Sequence, residues 1–260
     1  AEWRRARDWR VGQIEPMPNV SVFRGNELSA EDVLAIGADA VVLATGSHWL
    51  RTGIGRSSSE PFSGCDLPSV FTPDDIMTGR FPESGPVLLY DDDNFYLANV
   101  LAEVLAAHGL EVHFVTPDDV IAGWTVNTLD YRHIQKRLRK LGIHLHTAKS
   151  LQVFDGRRAE LACVWSDEVV HLDANAVVSV TMRLPDDALY QELLAREIEW
   201  QAAGIAQVSC IGDALAPGLI AHAVYAGHRF AREFEAAVGE NGDSVEVPFR
   251  RVRIATGVQH

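Results

Sequence analysis

The chain has 260 residues, 47% hydrophobic and 23% charged, a composition suited to a globular protein that buries a substantial core as one large domain or two smaller ones. Its net charge of −13 and isoelectric point near 5.1 argue against a nucleic-acid or anionic-membrane partner, because both draw affinity from Lys and Arg. No apolar run approaches the roughly eighteen residues needed to span a bilayer, and the N-terminus lacks the apolar core of a signal peptide, so a cytoplasmic protein is expected.

Residues 1–13 are charged and carry Trp3 and Trp9, a pattern that predicts an amphipathic helix. A chain that opens without methionine inside such a segment is expected to be a piece of a longer protein. Pro16 and Pro18 break the pattern, and Asn19 Val20 Ser21 Val22 Phe23 predicts a short strand. Ser29 followed three residues later by Asp32 signals a helix start, giving a helix over 30–36. The run Val41 Val42 Leu43 Ala44, closed by Thr45 Gly46, predicts a buried parallel strand ending in small residues. Residues 47–85 are rich in Gly, Ser and Pro and predict a connector to a second lobe, with one short helix over 73–78.

The second lobe opens on the unit that organises the chain. Val87 Leu88 Leu89 Tyr90 predicts a strand, Leu97, Val100, Leu101, Val104 and Leu105 fall at helical spacing, Gly109 ends that helix, and 111–115 predicts the next strand. This is a strand, helix and parallel strand of the size of one mononucleotide-binding unit. A working dinucleotide turn carries Gly-x-Gly-x-x-Gly, so that bare backbone can approach the pyrophosphate. Counting back from Gly109 places Asp93, Phe95 and Ala98 where those glycines fall, and Asp91 Asp92 Asp93 opposes a phosphate by like-charge repulsion. The residues are compatible with pure scaffold, or with a cation or other non-phosphate ligand at Asp91 to Asp93.

Beyond it, 128–141 predicts a basic amphipathic helix with Ile134, Leu138 and Leu141 on one side. Strands follow over 143–146, 151–154, 160–165 and 168–172, separated by Asp155 Gly156 and Ser166 Asp167 turns, then a buried strand over 176–180, a helix over 186–200 and a strand over 207–211. Gly212 Asp213 closes that last strand before a long helix over 219–237. A glycine lets the chain turn sharply there, and the aspartate either accepts ribose or ribityl hydroxyls or serves the turn and helix cap. Residues 245–253 form an extended, basic tail. Cys65, Cys163 and Cys210 lie too far apart in sequence for a Cys-x-x-Cys metal or redox pair, and each reads as a small buried hydrophobe. The scattered histidines predict no metal site.

Taken in order, Ala44 Thr45 Gly46, the degenerate lobe, and Ile211 Gly212 Asp213 before a long helix resemble the two-dinucleotide-binding-domain flavoproteins. More closely, Arg7 to Arg10, Ser29 to Val33, Gly37 Ala38 Asp39, Ala44 Thr45 Gly46 with Trp49, Leu97 to Leu105, and the block Ile211 to Ala214, Pro217, Leu219 to Ala221, Gly227 His228, Arg232 Glu233 resemble the C-terminal half of the trimethylamine dehydrogenase family. The resemblance implies an α/β, Rossmann-like FAD/NAD(P)-binding fold of the two-dinucleotide-domain type. Residues 1–84 and 203–260 would form an incomplete ADP- or FAD-type nucleotide-binding domain, and 85–202 an inserted, complete NAD(P)-binding-like domain with a degenerate glycine motif.

The same resemblance implies that FMN and a 4Fe–4S cluster belong to an N-terminal half outside this sequence. The full-length enzyme would oxidise a methylated or other small amine and pass electrons to an electron-transfer flavoprotein. Thr45, Gly46, Gly212 and Asp213 are the candidate cofactor-binding residues here, no catalytic residue is assigned, and ADP or FAD binding is expected to be weak or absent. Two other readings are a pyridine-nucleotide-dependent reductase module of the dienoyl-CoA or enoate reductase type, and a non-enzymatic interaction module. Apolar surface left by the missing strands is expected to drive homo-oligomerisation.

Overall fold

A computed structural model describes residues 4–234. In chain order the first elements are α1 (Arg4–Ile14), α2 (Ala30–Ile36), β1 (Ala40–Leu43), β2 (Ser47–Trp49), β3 (Val70–Phe71) and α3 (Pro73–Met77). Then come β4 (Val87–Asp91), α4 (Leu97–Ala107), β5 (Val112–Val115), α5 (Tyr131–Lys140) and β6 (His144–His146). A run of strands follows, β7 (Lys149–Phe154), β8 (Arg158–Cys163), β9 (Val169–Asp173), β10 (Ala176–Val180) and β11 (Arg183–Pro185). The last elements are α6 (Ala188–Ala195), α7 (Glu197–Ala203), β12 (Gln207–Cys210) and α8 (Ile220–Glu233).

The chain divides into two compact units. The first holds residues up to 43 together with 188–209. There α2 starts on a capping box in which the Ser29 hydroxyl accepts from the Asp32 N–H and Asp32 accepts from the Ser29 N–H. It packs against α6 and α7, and Ala30, Val33, Leu193 and Ile205 are buried. Among the described residues strand β1 pairs with β12 alone. Arg196, which bridges Glu31 at 3.2 Å and Glu199 at 2.7 Å, stands between α6 and α7, so the single helix expected over 186–200 is two. The strand expected over 19–23 does not form, and Phe23 is 81% exposed with no partner strand to cover it. Helix α1 forms but buries nothing.

The second unit, 44–187 and the described residues from 210, is built on a five-stranded parallel sheet in the order β3, β10, β4, β5, β6. Alternation along a strand sends Val87 and Leu89 of β4 to one face and Leu88 and Tyr90 to the other. On the first face they meet Ala98, Leu101 and Leu105 of α4, with Leu138 of α5. On the second they meet Leu151, Phe154, Ala159 and Leu161 of the antiparallel meander β7, β8, β9. Helix α4 stops where Gly109 turns to φ +80°, a conformation open to glycine because it lacks a Cβ.

This layering corrects the expected Rossmann-like two-dinucleotide fold. A doubly wound nucleotide domain carries helices on both faces of its sheet, whereas here a β-meander covers one face, and the strands assigned to the first nucleotide domain, β1 and β12, form only a two-stranded pair. The α/β class itself holds. Helix α8 ends at Glu233 among the described residues, and the expected tail over 245–253 lies outside them. Among the described residues no helix is long and apolar enough to cross a membrane.

Strands β5 and β6 carry a cluster of imidazoles. His113 Nδ1 lies 3.0 Å from His146 Nε2, the His113 and His144 rings stack at 4.8 Å, and Glu111 Oε1 sits 3.4 Å from His113 Nε2 and 3.5 Å from His144 Nε2. Burial, reinforced by neighbouring positive charge, holds His113 and His146 below the usual histidine range. In the unfolded chain both titrate near pH 6.5. Between that value and their lower folded values the unfolded state binds more protons, so stability is complete above the unfolded value and falls as pH drops through it. The melting temperature is expected to fall between about pH 7 and pH 5, and His146→Gln to flatten that fall. Parallel profiles for the two proteins would show that His146 titrates alike in the folded and unfolded chains.

Candidate functional site

Two side-chain clusters of the second unit contain the residues singled out by sequence. The first is the turn after β4. That strand is buried along its whole length, so Asp91 and Asp92 are carried inside with it, 0% and 2% exposed. Asp91 Oδ1 accepts the Asn94 N–H at 3.0 Å, and Asn94 takes the left-handed conformation at φ +52°. Asp91 Oδ2 has no hydrogen-bond partner among the described residues. Burial therefore pushes the Asp91 carboxyl well above the usual range, with the neighbouring carboxylates adding to the shift.

Asp92 is held differently. A strap from Gly53 to Ser58 crosses the turn, and Asp92 accepts the Ser57 N–H at 2.7 Å and the Ser57 hydroxyl at 2.6 Å. Arg56 stands 3.6 Å from Asp92 Oδ1 and donates to Asp118, just beyond the end of β5. The approach is close enough that a Cβ on Gly55 would lie 2.4 Å from Asp92 Oδ2 and 3.1 Å from Thr181 Cβ, so only glycine fits. Burial raises Asp93, while the charges of Arg183 and Arg56 act to lower it. Donors that a phosphate would need are thus spent on the protein's own carboxylates. Among the described residues no group of three or more His, Cys, Asp or Glu is arranged to hold a metal ion.

The second cluster joins the two glycine-marked strand ends. Thr45 donates its hydroxyl to the Asp186 carbonyl, and the Gly46 carbonyl accepts the Asp186 N–H at 2.9 Å. Ser47 then donates to Asp213 Oδ2 at 3.3 Å, so residues 45–47 and Asp213 share one network. Arg183 is its hub. It donates to Asp213 Oδ2 at 2.7 Å and to the Gly218 carbonyl at 2.6 Å, with its guanidinium 5.2 Å from the centre of the Trp49 ring. Asp213 Oδ1 accepts the Gly218 N–H at 3.0 Å, and Gly212 turns at φ +64°. Asp213 Oδ1 therefore serves the loop ahead of α8 directly, and Oδ2 serves it through Arg183.

Sequence reasoning singled out Thr45, Gly46, Gly212 and Asp213 but missed Arg183, Arg56 and Ser57. The signal for Arg183 was present, a cation three residues past the buried strand that ends at Val180. For Arg56 and Ser57, inside a Gly- and Ser-rich connector, there was none. Cys65 and Cys210 are buried and Cys163 is half-buried, and all three are free thiols.

Residues 71–179 match the family described as the OYE-like second alpha/beta domain. This is the finding that overturns an NAD(P)-binding domain at that position, and with it the two-dinucleotide fold. The chain is 32% identical to dimethylamine dehydrogenase from Hyphomicrobium sp. (strain x) over 284 aligned positions, covering 100% of this chain and 38% of that protein. Among solved structures, histamine dehydrogenase from Rhizobium sp. 4-9 superposes with a TM-score of 0.88 at 40% identity, over 96% of this chain and 38% of the other. The 6-hydroxypseudooxynicotine amine oxidase from Pseudomonas geniculata N1 does so with a TM-score of 0.83 at 39% identity, over 86% and 33%. The sequence thus spans well under half the length of these relatives, and nothing in the similarities supports an ADP or FAD site within it. With its OYE-like domain and its likeness to amine-oxidising enzymes along nearly its full length, the chain belongs to the trimethylamine dehydrogenase-like family of oxidoreductases.

Proposed function

We propose that this chain is the scaffold portion of an oxidoreductase acting on a methylated or other small amine, and that it carries no redox centre of its own. The observation that supports this reading most is the pairing of whole-chain similarity to dimethylamine dehydrogenase with an acidic turn whose donors are already used. FMN and a 4Fe–4S cluster, the groups expected of such an enzyme, do not fit the residues present. The cysteines are dispersed, and no cluster of metal-ligating side chains exists among the described residues. These groups are assigned to the remainder of a longer protein, whose electrons would pass to an electron-transfer flavoprotein. Thr45, Gly46, Gly212 and Asp213 act here as turn and network residues that brace the loop before α8. A reductase module is disfavoured by charge, since Asp91 to Asp93 stand where a pyrophosphate would lie.

Calorimetric titration of the full chain with NADH tests the scaffold reading. No heat of binding and no rise in melting temperature are expected, because a ligand that binds the native state must stabilise it. Tight NADH binding would transfer the assignment to the reductase module. The chain alone is also expected to give no turnover of dimethylamine with an artificial electron acceptor.

The acidic turn makes its own predictions. Asp92→Ala removes the acceptor that anchors Ser57 and is expected to cost about 3 kcal/mol in urea unfolding. A loss under about 1 kcal/mol would mean that the strap is held elsewhere. Asp91→Asn keeps an acceptor for the Asn94 N–H and removes the charge. Because the folded carboxyl titrates above the unfolded one, the wild type loses stability as pH rises past about 3.9 toward the raised folded value. The Asn variant is therefore expected to be the more stable protein at pH 8 and to lose that advantage in acid. An equal difference at both pH values would show that Asp91 ionises freely.

A further inference from the structure

Helix α5 reads Tyr131 Arg132 His133 Ile134 Gln135 Lys136 Arg137 Leu138 Arg139 Lys140, with five cations and no carboxylate, in a chain whose net charge is −13. Its apolar side is spoken for, since Leu138 is 0% exposed and Ile134 packs against the α4 face of the core. The cations are not. Arg137 reaches Glu103 at 3.2 Å and Arg139 binds the neutral side chain of Gln135 at 2.6 Å. Arg132, Lys136 and Lys140 are exposed and form no ion pair with any described residue.

Those three recur every four residues, which places them on one side of the helix along about 12 Å. Beside them lies a cleft of about 360 Å³ lined by Glu103, His133, Lys136, Arg137, Lys140 and Leu141, the last 46% exposed. Crowding like charges costs a helix stability through i, i+4 repulsion. Among the described residues Glu103, bridged to Arg137, is the carboxylate in that lining, and it leaves most of the repulsion uncompensated. We propose that this ridge is a docking surface for an acidic protein segment, a short run of carboxylates with an apolar residue that enters the cleft at Leu141. A long polyanion fits less well, because beyond the ridge it meets the acidic surface of the same chain. The proposal does not depend on the scaffold reading, as the ridge lies on α5 and uses none of the residues at the acidic turn.

Fluorescence anisotropy of a labelled poly-L-glutamate with the full chain reads this directly. Binding is expected at low salt and is expected to weaken at physiological ionic strength, where the Debye length is about 8 Å. The joint variant Arg132→Gln, Lys136→Gln, Lys140→Gln keeps good helix formers and is expected to weaken binding roughly tenfold or more. Arg4→Gln, Arg24→Gln, Arg157→Gln removes the same charge elsewhere and is expected to change it less than roughly twofold. Absence of binding at low salt would overturn the proposal, as would equal weakening by both variants. Heparin that binds more tightly than poly-L-glutamate and is lost with the ridge would also overturn it, in favour of a polyanion. Thermal melts by circular dichroism check that the ridge variant folds, and Lys136→Gln alone, expected to weaken binding severalfold, provides the same reading should the triple variant unfold.

Discussion

The constraint on which the second unit depends is the burial of carboxylates at the C-terminal end of β4. The strand is apolar and covered on both faces, so the residues that follow it enter the turn already desolvated. A buried ionised carboxylate survives only when paired and hydrogen-bonded, and one that lacks partners stays protonated. Asp92 is paired and hydrogen-bonded through Ser57 and Arg56, while burial pushes Asp91, whose Oδ2 has no hydrogen-bond partner among the described residues, well above the usual carboxylate range. One strand end thus holds two carboxyl groups in different settings, Asp92 drawing the strap over the turn and Asp91 bonded locally to the Asn94 N–H.

The sheet sets which residues can reach that end. Register places Val180 of β10 opposite Asp91, and Val180 offers its carbonyl to the N–H groups of Asp92 and Asp93 at 2.9 and 3.3 Å. The chain leaving β10 then runs through Thr181, whose Cβ lies beside Gly55 of the strap, to Arg183 on β11. The pairing of β11 with β2 sets Arg183 opposite Trp49, and the guanidinium turns from there to Asp213. Both clusters are consequences of where one central strand stops, and Arg183 belongs to both, through its charge on Asp93 and its bond to Asp213.

Much of this architecture was legible in the sequence where the signal is local. The apolar run over 87–90, the helical spacing from Leu97 to Leu105 and the stop at Gly109 fixed β4 and α4, and the paired turn signals of 149–173 marked the meander. What a strand covers is not local. Nothing in the alternation of Leu151 to Phe154 says that it packs on the parallel sheet, and that face decides against a doubly wound nucleotide fold. The strap is still less legible, because its contacts join Arg56 and Ser57 to aspartates more than thirty residues away from inside a connector that reads as punctuation. The split between α6 and α7 has the same origin, with Arg196 bound across sequence to Glu31.

The distribution of cations closes the account of charge. In an acidic chain three arginines of the two units stand beside carboxylates, Arg56 with Asp118 and Asp92, Arg183 with Asp213, Arg196 with Glu31 and Glu199. All but the local Arg196–Glu199 pair tie together segments distant in sequence, and a planar guanidinium serves well there because it donates in two directions at once. Arg183 illustrates this, reaching a carboxylate with one terminal nitrogen and a main-chain carbonyl with the other. A lysine takes such a part at Lys149, which bridges Glu168 at 2.7 Å. Lys136 and Lys140 stand exposed with Arg132 on α5, where a hydrated point charge loses little by staying in water and is free to meet a carboxylate that the described residues do not supply.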